Sequence, residues 1–304
     1  MAASLDARRP LPASLRLVLE REFDAAERRL RQASGWKSDD RVEGVHEFRR
    51  AVKRLRAAVS IAVAQVGERE WKAVDRGLAG AARRLGGLRD AHARRSAAQR
   101  LVRLLPRSAR AVGMDAWRAA GGSVTEAAAE PSAVAVHRLL QASAGELEGL
   151  RHRVATWSLE GLDRAGVIEA VSRAWSRARE RFRASWDGRD GEWLHGARKR
   201  AQRCASMLLL VQGWDGRALR DAERRLRGAA SLLGEARDAE LMLACMPEPA
   251  KGDTLWPVTR RWRSAIVRHA ATCLRRARRE GSLALAEGRG ELRRRLRREA
   301  KSRG

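Results

Sequence analysis

The sequence predicts an all-α protein, and three observations carry that prediction. Apolar residues recur at spacings of three and four, as in Leu15, Val18, Leu19, Phe23 and Ala26, which lays them along one face of a helix. Strand signals are scarce: the chain has no Tyr and only three Phe, and runs of alternating β-branched residues are few. Glycine and proline punctuate the periodic segments, at Gly35, Gly67, Gly86-Gly87, Pro106, Gly121-Gly122, Pro131, Gly161, Gly188, Gly213, Gly234, Pro247 and Pro249. About ten helices with short connections follow, a helical-bundle architecture.

The segment from Val45 to Val59 is the most informative. On a helix at about 100° per residue, Val45, Phe48, Val52, Leu55 and Val59 fall within about 80° of arc and form a buried seam. His46, Arg49, Arg50, Lys53, Arg54 and Arg56 occupy a separate arc of about 160°. Between Val45 and Val66 the sole acid is Glu47. An ordinary solvated face mixes its charges, because like charges at i and i+4 cost a few tenths of a kcal/mol each. Here Arg49/Lys53 and Arg50/Arg54 are such repulsive pairs. From Leu194 to Trp214 the pattern returns, with Arg198, Lys199, Arg200 and Arg203 and no carboxylate. A self-repulsive face built twice fits an anion that supplies the missing charge.

The repetition extends further. The stretch Val45–Arg54 answers Leu194–Arg203 at an offset of 149, and Leu85-Gly86-Gly87-Leu88-Arg89-Asp90 answers Leu233-Gly234-Glu235-Ala236-Arg237-Asp238 at 148. Two elements in the same order at nearly the same shift imply two similar helical halves packed together, 12–184 and 190–285, joined in the Gly/Asp-rich segment 185–191. A basic segment, 286–304, follows. The L-G-x-x-R-D element reads as a helix end at Gly followed by a new helix start. Its aspartates suit a cap or an arginine partner, whereas Arg89 and Arg237 could face that Asp or a ligand.

Charge and cysteine usage bound the function. Lys and Arg number 64 against 37 Asp and Glu, a formal net charge of +27, and only six of the cations are lysine. Guanidinium groups stay charged and present planar forks that match phosphate oxygens. The three cysteines, Cys204, Cys245 and Cys273, form no C-x-x-C pair, so the sequence encodes neither a disulfide framework nor a zinc module. The first residues, MAASLDARRPLP, lack the apolar core of a signal peptide, so none is expected, and uncharged stretches such as Cys204 to Trp214 are far short of the roughly 20 residues of a membrane span. The expectation is a soluble cytoplasmic protein with no membrane partner and no cofactor. Neither His46 nor His195 has a His, Cys or carboxylate at i+3 or i+4, which argues against a metal there.

These residues resemble the CHAD family, the conserved histidine α-helical domain, whose hallmark is two copies of a helix carrying a His followed by spaced Arg and Lys, each trailed by L-G-x-x-R-D. The resemblance runs from about Leu15 to about Leu285. It implies two four-helix-bundle-like halves related by a pseudo-twofold axis around a basic groove, and binding of inorganic polyphosphate without catalysis; the expected location is the cytoplasm, with polyphosphate granules as an associated body. Carried over residue by residue, His46, Arg49, Lys53, Arg54 and Arg56 match the first copy, and His195, Arg198, Lys199 and Arg203 the second. Gln202 and Ala205 stand where the family usually has Lys or Arg. Either the second half binds more weakly, or Arg200 and the next helix's Arg224, Arg225 and Arg227 compensate. Arg83 and Arg84 have no basic counterpart in the second half. With Arg50, Arg89 and Arg237 these residues make up the candidate polyphosphate site.

Two rival readings have specific residues behind them. Glu68-Arg69-Glu70-Trp71-Lys72 matches the E-x-E-x-K of a triphosphate-hydrolysing tunnel, but on a helix its carboxylates lie about 200° apart and share no face, so no enzyme is expected. Sequence-nonspecific nucleic-acid binding is the second rival. Arg275 to Gly304 holds eleven Arg and one Lys against four Glu, enough for backbone contacts. Against it, the ten Trp and three Phe lie mostly on apolar seams and leave few stacking platforms.

Overall fold

The computed structural model describes the chain apart from residues 1–3, 7, 36–37, 119–131, 188–190, 215–216, 247–255 and 302–304; the side chains of 38–40, 89–94, 116, 185–187, 191–193, 217 and 299–301 are likewise outside the described residues. Among the described residues there is no strand, and twelve α-helices follow one another: α1 (Leu11–Ala33), α2 (Ser38–Ile61), α3 (Val63–Val66), α4 (Glu68–Arg84), α5 (Gly86–Val102), α6 (Arg110–Trp117), α7 (Ala133–Ala155), α8 (Arg164–Asp187), α9 (Gly191–Leu210), α10 (Arg217–Cys245), α11 (Trp256–Ala284) and α12 (Arg289–Lys301). The all-α expectation holds. The count exceeds the expected ten because of the four-residue α3 and the eight-residue α6. Of the expected join at 185–191, residues 188–190 lie outside the described residues, between the end of α8 and the start of α9.

Local chemistry sets the helix ends. Pro12 occupies the first turn of α1, where a missing N–H costs nothing. The Ser132 hydroxyl accepts from the Ala135 N–H at 3.2 Å to cap α7. Helix α4 starts with Glu68 and Glu70 and ends with Arg83 and Arg84, charges that complement its dipole. Gly67, at φ 82°, separates α3 from α4.

Helices α1, α2, α4 and α7 pack together, and α8, α9, α10 and α11 form a second group, with α12 laid on α8. Most buried apolar side chains belong to one cluster that runs through both groups. The two basic helices meet directly, since α2 packs on α9 as well as on α8. Helix α5 then leaves the first group for α10, where Leu101, Val102 and Trp117 join Met242, Trp262 and Ile266 in a smaller cluster. There the Trp262 indole donates to the Leu101 carbonyl at 3.0 Å. Gly281 sets the approach of α11 to α8: a Cβ there would stand 2.1 Å from the Phe182 ring.

One sequence expectation needs correcting. The second L-G-x-x-R-D copy does not end a helix. Leu233–Asp238 lies inside the continuous α10, and Asp238 accepts from Arg100 of α5 at 2.8 Å instead of capping. In the first copy Leu85 alone interrupts the path from α4 into α5. A helical glycine costs about 1 kcal/mol relative to Ala, and here the element places it against an arginine of the basic helix.

Candidate anion-binding site

The seam that buries Val45, Phe48, Val52 and Leu55 fixes the rotation of α2 and turns His46, Arg49, Arg50 and Lys53 away from the core. Arg49 reaches α5, its terminal nitrogen 3.6 Å from where a Cβ of Gly86 would be. Arg50 donates to Glu47 at 2.7 Å, and His46 Nε2 stands 3.9 Å from the same carboxylate. Burial raises the Glu47 pKa, but Arg50 and its neighbours outweigh this and hold it below its ordinary value. Lys53 is exposed.

Helix α9 repeats the arrangement. Arg198 lies over α10 with its Cζ 3.0 Å from the position of a Gly234 Cβ. With His195, Leu194 and Arg237 it lines a small crevice at α10. Arg237 donates to Glu240 at 3.0 Å, and Lys199 is exposed. Burial, followed by Lys199, Arg198 and Arg237, pushes the His195 pKa below its ordinary value. Helix α5 spans the distance between the patches. It begins beside Arg49 and, fourteen residues later, Arg100 bonds Asp238, one turn from Gly234. At 1.5 Å per residue that is roughly 21 Å.

Other candidate residues have carboxylate partners within the fold. Arg54 donates to the buried Glu22 at 2.7 Å. Arg56 grips Asp75 with two hydrogen bonds of 3.0 and 2.8 Å, and Arg203 of α9 reaches the same Asp75 at 3.1 Å, the Ser60 hydroxyl and the Arg56 carbonyl. This three-residue hub joins α2, α4 and α9. Burial pushes the Asp75 carboxyl up, but the two arginines prevail and keep it below the usual carboxylate range. Arg84 ties α4 to Glu146 of α7 at 2.7 Å, and Arg225 ties α10 to Glu280 of α11 at 2.9 Å. Arg224 and Arg227 make intrahelical pairs with Asp221 and Glu223, contacts worth little at the surface. Arg83 is exposed, and the side chain of Arg89 lies outside the described residues.

The structure adds groups that sequence reasoning passed over. Arg173 and Arg177 of α8 join Arg200, Arg203 and Trp71 around an open cleft. Burial, then Arg177 and Arg181, lowers the Arg200 pKa, and the Trp71 indole N–H is buried without an acceptor among the described residues. No repeat marks Arg173 and Arg177, so the duplicated motif could not have found them. Glu68, Glu70 and Lys72 sit on a helix as expected: Lys72 pairs with Glu68 at 2.5 Å, while Glu70 accepts from Arg153 and Trp157. A set of potential metal ligands, Glu235, His269 and Cys273, also comes together. The sequence signal was the i, i+4 spacing of His269 and Cys273.

Two helices, α2 and α9, each turn a His-x-x-Arg face away from a shared all-α core. The chain belongs to the CHAD domain family, whose model matches residues 18–214. That match takes in both His-bearing helices and stops before Gly234. None of the curated proteins compared with the chain matches it. Among the described residues no helix is long and apolar enough to cross a membrane.

Proposed function

We propose that the protein binds inorganic polyphosphate without turning it over, and that the α2 patch (His46, Arg49, Arg50, Lys53) and the α9 patch (His195, Arg198, Lys199, Arg237) are its main contacts. The observation that carries this reading is the repeated geometry, an arginine three residues after a histidine laid against the glycine of an L-G-x-x-R-D element, Arg49 on Gly86 and Arg198 on Gly234. Membership of the CHAD domain family is consistent with it. Arg56 and Arg203, bound to Asp75, serve to join the two helices. The carboxylates beside the patches, Glu47 and Glu240, are each held by an arginine, which suits a binding surface. A chain of phosphates has no bases to stack, so affinity would come from charge-assisted hydrogen bonds and counterion release.

Nonspecific nucleic-acid binding is the second reading, favoured by the exposed Arg294, Arg297 and Arg298 of α12. Competition decides between them. Long-chain polyphosphate should displace single- and double-stranded nucleic acid at physiological salt with a steep salt dependence. Equal competition per phosphate would sink the polyphosphate reading.

A further inference from the structure

On the packed pair α10 and α11, Cys273 Sγ stands 3.5 Å from His269 Nε2 and 3.7 Å from Glu235 Oε2, and the imidazole nitrogen is 3.9 Å from the same carboxylate oxygen. His269 and Cys273 are four residues apart on α11 and share one face, while Glu235 faces them from α10. Zinc bonds of about 2.0–2.3 Å at tetrahedral angles place neighbouring ligand atoms roughly 3.3–3.6 Å apart. The two separations from sulfur are within about 0.2 Å of that triangle, and the imidazole–carboxylate separation is about 0.5 Å wider than the roughly 3.4 Å of a nitrogen–oxygen ligand pair, a gap that a small side-chain rotation closes. Cys273 is 3% exposed, whereas the His269 and Glu235 side chains are 30% and 42% exposed. The thiol thus lies deepest of the three, with the imidazole and the carboxylate nearer the surface.

We propose that Glu235, His269 and Cys273 form a site for a divalent metal of the zinc class, with three protein ligands and one open position. Thiolate with imidazole selects zinc-like ions over magnesium or calcium, which prefer all-oxygen sites. On coordination the Cys273 thiol gives its proton to solvent and the sulfur bonds the metal, with no change of oxidation state. The ion's two positive charges then match the thiolate and the carboxylate. The inference is independent of polyphosphate binding, although Glu235 adjoins Gly234, on which Arg198 rests. The bland alternative is a hydrogen-bonded trio with no affinity for metal.

Cobalt(II) titration of the metal-free full chain, in a Cys245→Ser background that removes the exposed thiol and without polyphosphate present, distinguishes the two. One equivalent should give a thiolate-to-cobalt charge-transfer band together with the intense visible bands of a four-coordinate ion, and zinc should displace both. Cys273→Ala should abolish the charge-transfer band, and His269→Ala and Glu235→Gln should each weaken binding at least about tenfold. Cys273→Ser, nearly isosteric, covers the case in which the alanine variant fails to fold, and should behave as Cys273→Ala does. A folded chain that binds cobalt without the thiolate band, binds none, or keeps the band in Cys273→Ser overturns the proposal.

Discussion

The Arg198 guanidinium lies across α10 at Gly234, so close that a Cβ on that glycine would stand 3.0 Å from its Cζ. The contact explains why a helix keeps a glycine in its middle. In an open position Gly→Ala stabilises a helix by about 1 kcal/mol, and Gly228, on the same helix with nothing within 4 Å of a Cβ, is such a position. Gly234→Ala should shift the flexible guanidinium without unfolding the chain. Polyphosphate affinity is expected to fall a few-fold with little change in Tm, whereas Gly228→Ala should raise stability by up to about 1 kcal/mol and leave affinity alone. Calorimetric titration and thermal melts check both; equal affinities for the two variants would remove Arg198 from the site.

Charge reversal locates the ligand on the surface. Lys53 and Lys199 are exposed on the basic faces, so Lys53→Glu with Lys199→Glu should weaken polyphosphate binding and flatten its salt dependence. Arg294→Glu with Arg298→Glu removes the same number of positive charges from exposed positions on α12 and should do much less. Arg54 is a poor choice for this test, because reversing it would set two carboxylates face to face at the buried Glu22. Equal losses from the two pairs would move the site to the C-terminal helix.

The three-and-four spacing in the sequence reveals the helices, and the duplicated Val45–Arg54 and Leu194–Arg203 segments reveal the basic faces. What they conceal is how the arginines divide their work. Arg49 and Arg56 look equivalent on one helix, yet Arg56 closes on Asp75, a residue 19 positions away that no local pattern marks. Likewise L-G-x-x-R-D reads as a break because glycine usually punctuates, and only the three-dimensional structure shows that α10 runs on through Gly234 with Arg198 laid against it. Ion pairing across helices is long-range information, and periodicity carries only local information.

The Asp75 hub should be felt as stability. Asp75→Asn keeps the shape but leaves Arg56 and Arg203 close together without their shared anion. Breaking a partly buried pair in this way costs about 3 kcal/mol. Urea denaturation should show a lower midpoint with an unchanged slope. A loss under about 0.5 kcal/mol, the usual range for surface changes, would mean the hub is replaceable by water.

Glu70 makes stability depend on acid. Two hydrogen bonds from Arg153, helped by the Trp157 indole, outweigh the small cost of burial and hold its pKa at about 2, against 4.5 for a free glutamate. A depressed carboxyl pKa contributes stability above the unfolded value, and that contribution disappears as pH falls toward the folded one. The loss should therefore lie between about pH 4.5 and 2. Glu70→Gln should lower Tm at pH 6 and flatten its decline across that window. An unchanged acid limb would show that the Arg153 pair does not form in solution.

His195 should couple ligand binding to protons. Burial, then Lys199 and Arg198 on its own helix and Arg237 on α10, holds its pKa below the ordinary value; Glu240, also facing this crevice, is engaged by Arg237. In the free protein the imidazole is therefore mostly neutral near pH 7. A bound phosphate reverses the local field and favours the protonated, double-donor ring, so its pKa rises in the complex. A group with a higher pKa when bound takes up a proton on binding, and affinity must increase as pH falls through the interval between the two values. Polyphosphate affinity should thus rise from about pH 8 to pH 5, measured with long chains whose internal phosphates do not titrate there. His195→Asn should lose part of that slope while retaining most of the affinity at pH 8. If the slope persists unchanged, His195 lies outside the bound chain and the α9 patch reduces to Arg198, Lys199 and Arg237.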